Sequence, residues 1–205
     1  MNALFPIHDF HAKFGMAYTG NTRLLDGEML DLRVKRLKEE ADELKDATTL
    51  VDACDALVDL LYIAGGTLYL QGPCPPLMLS NDFVKVHPSD FDWDAELDSD
   101  MRHLVLMVND LVNTGKAVET TSLLKLWYFC NRIAYWTKLP VPELFANVHA
   151  ANMRKERGCA KTSKYGNSYD IIKPEGWYGP DEEARNILVR AGFDPDKKVN
   201  FRANV

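Results

Sequence analysis

Residues 38–44 read KEEADEL and residues 51–62 read VDACDALVDLLY. Each stretch carries apolar residues at helical spacing, with acids on a second stripe. Glu40 and Glu43 are three apart and share a helix face, with Glu39 about 100° round from Glu40. Asp55 and Asp59 are four apart on the next helix, and Asp52 extends their row by three. The connection near residues 46–48 is short, so the pair should form an antiparallel hairpin in which the acidic rows meet. Carboxylates facing one another across two helices are costly unless a cation neutralises them. Mg²⁺ is the expected cation, because it takes oxygen ligands and binds phosphates.

The second row carries more weight than the first. KEEADEL alone also fits a solvated face laced with Glu–Lys pairs. Asp52, Asp55 and Asp59 instead interrupt a run of Val, Ala, Cys, Leu and Tyr. Asp is a poor helix former and is seldom buried without a partner. A divalent ion held by Glu40, Glu43, Asp55 and Asp59 would bridge phosphate oxygens and lower the pKa of an attacking water. Glu39 and Glu40 are the candidates to accept that water's proton. The chemistry so described is phosphoanhydride hydrolysis.

Outward from this pair the chain reads as helix throughout. Residues 6–17 form a short amphipathic stretch with Phe10 and Phe14 at i,i+4 spacing, followed by turn signals at Gly15, Gly20 and Asn21. The two acidic helices are expected at about 23–46 and 48–71, the second stopped by Gly72-Pro73. Residues 73–93 read as a long loop. Further helices are expected from DWDAELDSDMRHLVLMVNDLV (92–112), then over 118–137, 142–156 and 181–191. Residues 157–180 read as ordered loop or a short hairpin. The fold class is all-α, with a four-helix-bundle core, extra helices and a C-terminal loop segment. A single domain over 1–205 is expected, with 73–140 as an insertion or as helices completing the bundle.

Bulk properties narrow the function. The chain has 205 residues, 46% hydrophobic, enough for a real core. Its net charge of −6 argues against a sequence-independent nucleic-acid binder, but not against a small anion held by local cations and a metal. Cys54, Cys74, Cys130 and Cys159 lack CxxC spacing, so reduced thiols in a cytoplasmic setting are expected rather than a zinc site. The N-terminus has no secretory pattern, and no stretch approaches the roughly 20 apolar residues of a membrane span.

KEEADEL followed by DALVDLLYIAGG resembles the EExxE and (E/D)xxD signature of the MazG-like all-α nucleoside triphosphate pyrophosphohydrolases. That superfamily includes the phosphoribosyl-ATP pyrophosphohydrolases and dimeric dUTPases. IHDFHAKFG (7–15), ANVHAANMRKERG (146–158) and SKYGNSYDIIKPEGWYGPD (163–181) resemble its bacteriophage members. The resemblance implies cleavage of an NTP or dNTP between the α and β phosphates, giving a monophosphate and pyrophosphate. It implies Mg²⁺ or Mn²⁺, a homodimer or homotetramer, and a role in nucleotide-pool control in the cytoplasm, the host's if the chain is phage-encoded. Purine deoxynucleotides, dGTP or dATP, are the substrates the phage-like C-terminal motif suggests. By matching position, Glu39, Glu40 and Glu43 fill EExxE and Asp59 is the last acid of the second motif. The motif's other acid falls on Ala56, so Asp55, or Asp52 with Asp55, must substitute. Asn152 and Lys155 are implied to lie near the nucleotide, with Lys173 and Trp177 as further binding candidates.

The residues admit blander readings. Lys155 could be an ordinary surface lysine on one helix face with Asn152. Arg154, Arg157, Lys161 and Lys164 could be a solvated basic run, although it suits a triphosphate tail. Trp177 could stack on a base or anchor a loop. Trp127, Tyr128, Tyr135 and Trp136 read as core or subunit interface. His8-Asp9 suggests HD-type phosphohydrolases, which need further His and Asp ligands at suitable spacing. Asp100 to His103 suggests a di-iron bundle, which needs Glu-x-x-His motifs absent here. The rival from another class is a helical module that binds nucleotides or proteins without turnover, and Ala56 keeps it open.

Overall fold

Only three residues separate the two acidic helices, α2 (Gly27–Asp46) and α3 (Leu50–Gln71), so they must return antiparallel. The turn is built to start α3. The Thr49 hydroxyl accepts the Asp52 backbone N–H, and the Asp52 carboxylate accepts the Thr49 N–H, a reciprocal capping box. The other amides of the first turn are met from far along the chain. Leu50 N–H donates to the Lys197 carbonyl (2.8 Å) and Val51 N–H to the Pro195 carbonyl (3.1 Å). The polar tail is pinned there, with Phe201 buried in the core.

The structure is a computed structural model that describes residues 4–72 and 93–202. The remaining described helices are α1 (Leu4–Lys13), α4 (Trp93–Asn113), α5 (Thr120–Thr137), α6 (Val141–Asn152) and α7 (Asp181–Arg190). Two-residue strands, β1 (Glu156–Arg157) and β2 (Ile171–Ile172), pair antiparallel and close the loop between them. The all-α expectation holds. α2 packs on α3 and α4, and α5 packs on α3 and α4, which closes a four-helix bundle. α1, α6 and α7 lie on α3 outside that bundle. The loop expected over 73–93 lies outside the described residues, apart from Trp93, which begins α4.

Helix α3 is the centre of the molecule. Its apolar residues face neighbours on every side, so Ala53, Leu57, Leu60, Leu61 and Ala64 are all buried. It is also the one described helix long and apolar enough to cross a membrane, with a mean hydropathy of 1.4, but 78% of that window is buried inside the protein. Contrary to the expectation from unbroken apolar runs, α3 reaches that mean hydropathy with aspartates among its residues. Leu37, Ala41 and Leu44 of α2 supply the matching seam.

Element ends differ modestly from the sequence reading. α2 begins at Gly27 rather than near 23, because Arg23 is tied to the end of α3. Its N–H donates to the Gln71 carbonyl (2.8 Å) and its Nε to the Leu70 carbonyl (2.9 Å). α6 ends at Asn152 rather than 156, because tighter i to i+3 bonds take over: Arg154 N–H to Ala151 O and Lys155 N–H to Asn152 O, each 3.1 Å. Lys155 therefore sits in the turn after α6, not on its face.

A paired glycine sets how closely the layers approach. A Cβ on Gly65 would lie 2.3 Å from the Trp127 ring of α5 and 2.5 Å from Ile7 of α1. A Cβ on Gly66 would meet the Arg33 guanidinium at 2.7 Å. Arg33 is buried there and donates to Thr67 Oγ1 (2.8 Å) and the Ile63 carbonyl (2.6 Å). Trp127 is thus core. Gly65→Ala should improve helix propensity by about 1 kcal/mol yet lose more through overpacking, typically about 1–3 kcal/mol. We expect a melting temperature lower by about 2–6 °C in a thermal scan; a higher one would show that Trp127 and Ile7 repack freely.

Candidate active site

The acidic rows do meet. Arg36, Glu39, Glu40 and Glu43 of α2 face Asp55 and Asp59 of α3 across a cavity of about 430 Å³. Asn152 closes it from α6, and Lys155 from the following turn. Lys164, Asp170, Lys173 and Trp177 come from the loop segment, and Asp181 from the start of α7. Of the residues singled out in sequence for metal or substrate, Glu39 and the other acids but Asp52 line this space with Asn152, Lys155, Lys164, Lys173 and Trp177, whereas Arg154, Arg157 and Lys161 do not. A larger groove of about 650 Å³ beside it, lined by residues 15–18, 23–29, Leu70, Ser168 and Tyr169, has no comparable set of facing acids and lysines.

Of Asp52 and Asp55, Asp55 alone lines the cavity. Asp52 is spent on the capping box at the start of α3, while Asp55 lines the cavity one turn later. Ala56 is buried on another face.

The carboxylates are in three different conditions. Glu40 is only 6% exposed, and its Oε2 has no hydrogen-bond partner. Burial, then the charges of Asp59, Glu43 and Glu39, push its pKa up to about 9. Asp55 is raised to about 7 by burial and by Asp59, Asp181 and Glu43. Asp59 is raised to about 6 by burial, with Lys155 pulling the other way and Glu43 adding to the rise. Glu43, more exposed, is raised by burial and by Glu39.

Glu39 is the contrast. Burial works to raise it, but hydrogen bonds from Lys164 and Tyr165 and the charge of Arg36 win, and its pKa is lowered. Oε1 takes the Lys164 ammonium, and Oε2 takes both Arg36 (2.9 Å) and the Tyr165 hydroxyl. Arg36 also holds Asp170 (2.8 Å), a carboxylate left 2% exposed. Of the two acids expected to take a proton from water, Glu40 thus has the open oxygen.

The cations lie on the other wall. Burial lowers the Lys155 pKa while Asp59 raises it. Lys155 and Lys173 both lie over the Trp177 ring, at 5.5 and 4.4 Å from its centre. The Trp177 indole N–H donates to the Ala151 carbonyl (3.1 Å), which anchors this loop to α6.

A hard divalent ion fits this donor set. The orphaned Glu40 oxygen and the raised acids around it are what a cation would satisfy. Among the described residues, no three His, Cys, Asp or Glu side chains gather tightly enough to enclose an ion.

Sequence reasoning missed Arg36, Asp170 and Asp181. Arg36 had a signal, being three residues before Glu39 on the same helix. Asp170 and Asp181 had none, because only the folded loop brings them to α2 and α3.

Residues 7–75 match the family model for phosphoribosyl-ATP pyrophosphohydrolase. That family belongs to the MazG-like all-α NTP pyrophosphohydrolase superfamily. The match runs from α1 to just past the end of α3, so it holds every α2 and α3 acid of the cavity but none of Asn152, Lys155, Lys173 and Trp177. It supports pyrophosphohydrolase activity on nucleotides, in a family generally dependent on divalent metal. No curated protein and no solved structure matches the chain.

The raised acids make stability depend on pH in a definite direction. Glu40, Asp55 and Asp59 have native pKa values above their unfolded ones. Their neutral forms favour the native state, and that contribution is whole below about pH 4. It is lost as pH rises through the native values, from about 6 to about 9. In chelator, the melting temperature should therefore fall between pH 5.5 and pH 8.5. Mg²⁺ should restore more at pH 8.5 than at pH 5.5, because ligands must be ionised to bind it. Asp59→Asn should raise the metal-free melting temperature at pH 8 by about 2–4 °C for each 1 kcal/mol of repulsion removed. Thermal scans at three pH values, with and without Mg²⁺, check all three.

Proposed function

We propose, from the match of residues 7–75 to the phosphoribosyl-ATP pyrophosphohydrolase family model and from the cavity those residues help to line, that the protein hydrolyses nucleoside triphosphates to monophosphate and pyrophosphate. The observation that carries this reading is the single cavity facing α2 and α3 acids against Lys155, Lys164 and Lys173. Acids alone would suit a structural ion, and lysines alone an anion. Both together suit a metal-bound polyphosphate.

In this reading Glu40, Glu43, Asp55 and Asp59 hold one or more Mg²⁺ or Mn²⁺ ions. Such an ion, when bound, neutralises phosphate charge and lowers the pKa of water. Lys155 and Lys173 receive the polyphosphate as point charges, held in place by the Trp177 ring beneath them. Asn152, buried at the cavity floor, offers an amide to the sugar or α-phosphate. Glu40 would accept the proton of the attacking water once a bound ion offsets the charges of Asp59, Glu43 and Glu39 that otherwise keep it protonated.

A crevice of about 80 Å³ continues from the cavity, sharing Arg36, Glu40, Asp59 and Asn152 with it. It is walled by Phe10, His11, Met16, Tyr62 and Tyr169 beside Arg33 and Asp170, and a nucleoside would need it to open well beyond this volume. Purine deoxynucleotides, dGTP and dATP, head the list to be assayed. We place the activity in nucleotide-pool control, in a cytoplasmic homodimer or homotetramer.

The test is product analysis with each NTP and dNTP in Mg²⁺ and then Mn²⁺. We expect monophosphate with pyrophosphate, no turnover in chelator, and a fall of about 10²–10⁴ in kcat for Glu40→Gln. Lys155→Met should lower kcat/KM by about tenfold or more, since it removes a charge-assisted contact to phosphate. Nucleoside with tripolyphosphate would sink the reading. Binding without any product would instead favour a nucleotide-sensing module of the same fold, the reading Ala56 suggests.

A further inference from the structure

Glu39 is gripped by a part of the chain about 125 positions away. The loop between β1 and β2 lies along α2 and touches it at three levels. At one end Asn167 donates to the Glu28 carbonyl (2.6 Å) and the Ser168 hydroxyl to the Glu28 carboxylate (2.7 Å). In the middle Arg36 holds Asp170, which also takes the Ser163 hydroxyl (2.9 Å). The third level is the pair Lys164 and Tyr165 on Glu39. The first level lies outside the acidic cavity, and the second lines it as a closed pair, Arg36 on the buried Asp170. The third lines it with a cation free to move, because Lys164 and Glu39 both face the cavity and the Lys164 side chain is 61% exposed.

As it stands, Glu39 cannot serve a metal, since Lys164 occupies one oxygen while Arg36 and Tyr165 occupy the other. Yet its neighbour Glu40 leaves an oxygen unpartnered beside it. The ammonium of a lysine is mobile on its four-carbon stem, and a polyphosphate offers it several charges where Glu39 offers one. Arg36, fixed at its other end by Asp170, stays behind. Resting on the pyrophosphohydrolase reading above, we propose that Lys164 and Tyr165 form a substrate-released latch: polyphosphate entering the cavity draws Lys164 to itself and frees Glu39 to join Glu40 as a ligand of the divalent ion. Lys164 and Tyr165 are then positioning residues, and nucleotide and metal strengthen each other's binding through one side chain.

The test reads metal affinity, not turnover. Mn²⁺ binding without nucleotide is measured by electron paramagnetic resonance on the wild-type chain, Lys164→Met, Tyr165→Phe, Glu39→Gln, and the Glu39→Gln/Lys164→Met double variant, all checked for native circular dichroism. Lys164→Met should bind Mn²⁺ roughly three- to tenfold more tightly than wild type, the range between an exposed ion pair and an outer-shell partner of a metal ligand. Tyr165→Phe should shift the same way by less. In the Glu39→Gln background Lys164→Met should change nothing, because the latch has no carboxylate to release. A crystal with Mg²⁺ and the α,β-imido analogue of the preferred triphosphate should show Lys164 on phosphate and Glu39 on the ion. Unchanged or weaker Mn²⁺ affinity in Lys164→Met, or Glu39 still gripped in that complex, overturns the latch and leaves the enzyme reading standing. No Mn²⁺ bound by any of the five proteins overturns both.

Discussion

Everything in this protein is arranged around like charges that its central helix forces together. Asp55 and Asp59 sit on α3, whose other faces are claimed by apolar contacts with α1, α2, α5, α6 and α7. The helix cannot rotate them into water without exposing Leu57, Leu60 and Leu61. Glu40 meets them from α2, where Leu37, Ala41 and Leu44 are equally fixed. Hydrophobic packing thus holds in place a repulsion that would otherwise scatter the acids. The raised pKa values record that constraint, and a divalent ion is the natural relief for it.

The same packing explains how much could be read beforehand. The α2–α3 pair was legible because both helices carry apolar residues at helical spacing and the link between them is too short for anything but a hairpin. Acids on the second stripe then had to meet. The role of Asp52 was not legible, because DxxD spacing is the same whether its first member caps a helix or lines a cavity. The answer lies in the Thr48 and Thr49 N–H groups and the Thr48 hydroxyl, which donate to the Asp52 carboxylate. Lys155 was placed on a helix that ends three residues earlier, since nothing in MRK signals that the last turn tightens. It lines the cavity all the same.

Division of labour follows the chain. The matched segment, 7–75, supplies the anionic wall and the residues around the crevice that come from α1, α2 and α3. The region after α6 supplies the cationic wall, the aromatic ring beneath its lysines, and the grip on Glu39. α4 and α5 complete the bundle yet contribute nothing to the cavity lining. Substitutions in the three parts should therefore differ in effect: those in the first alter the acidic wall, those in the third the lysine wall, and those in the second mainly the packing.

The amides at the start of α3 are satisfied by carbonyls of residues 195 and 197, and Val199 returns a bond to Thr48. During synthesis, about 125 residues must follow the end of α3 before those bonds can close. Until then the first turn of the helix bearing Asp55 and Asp59 lacks two of its partners. The start of α3 is therefore completed only when that distant segment arrives.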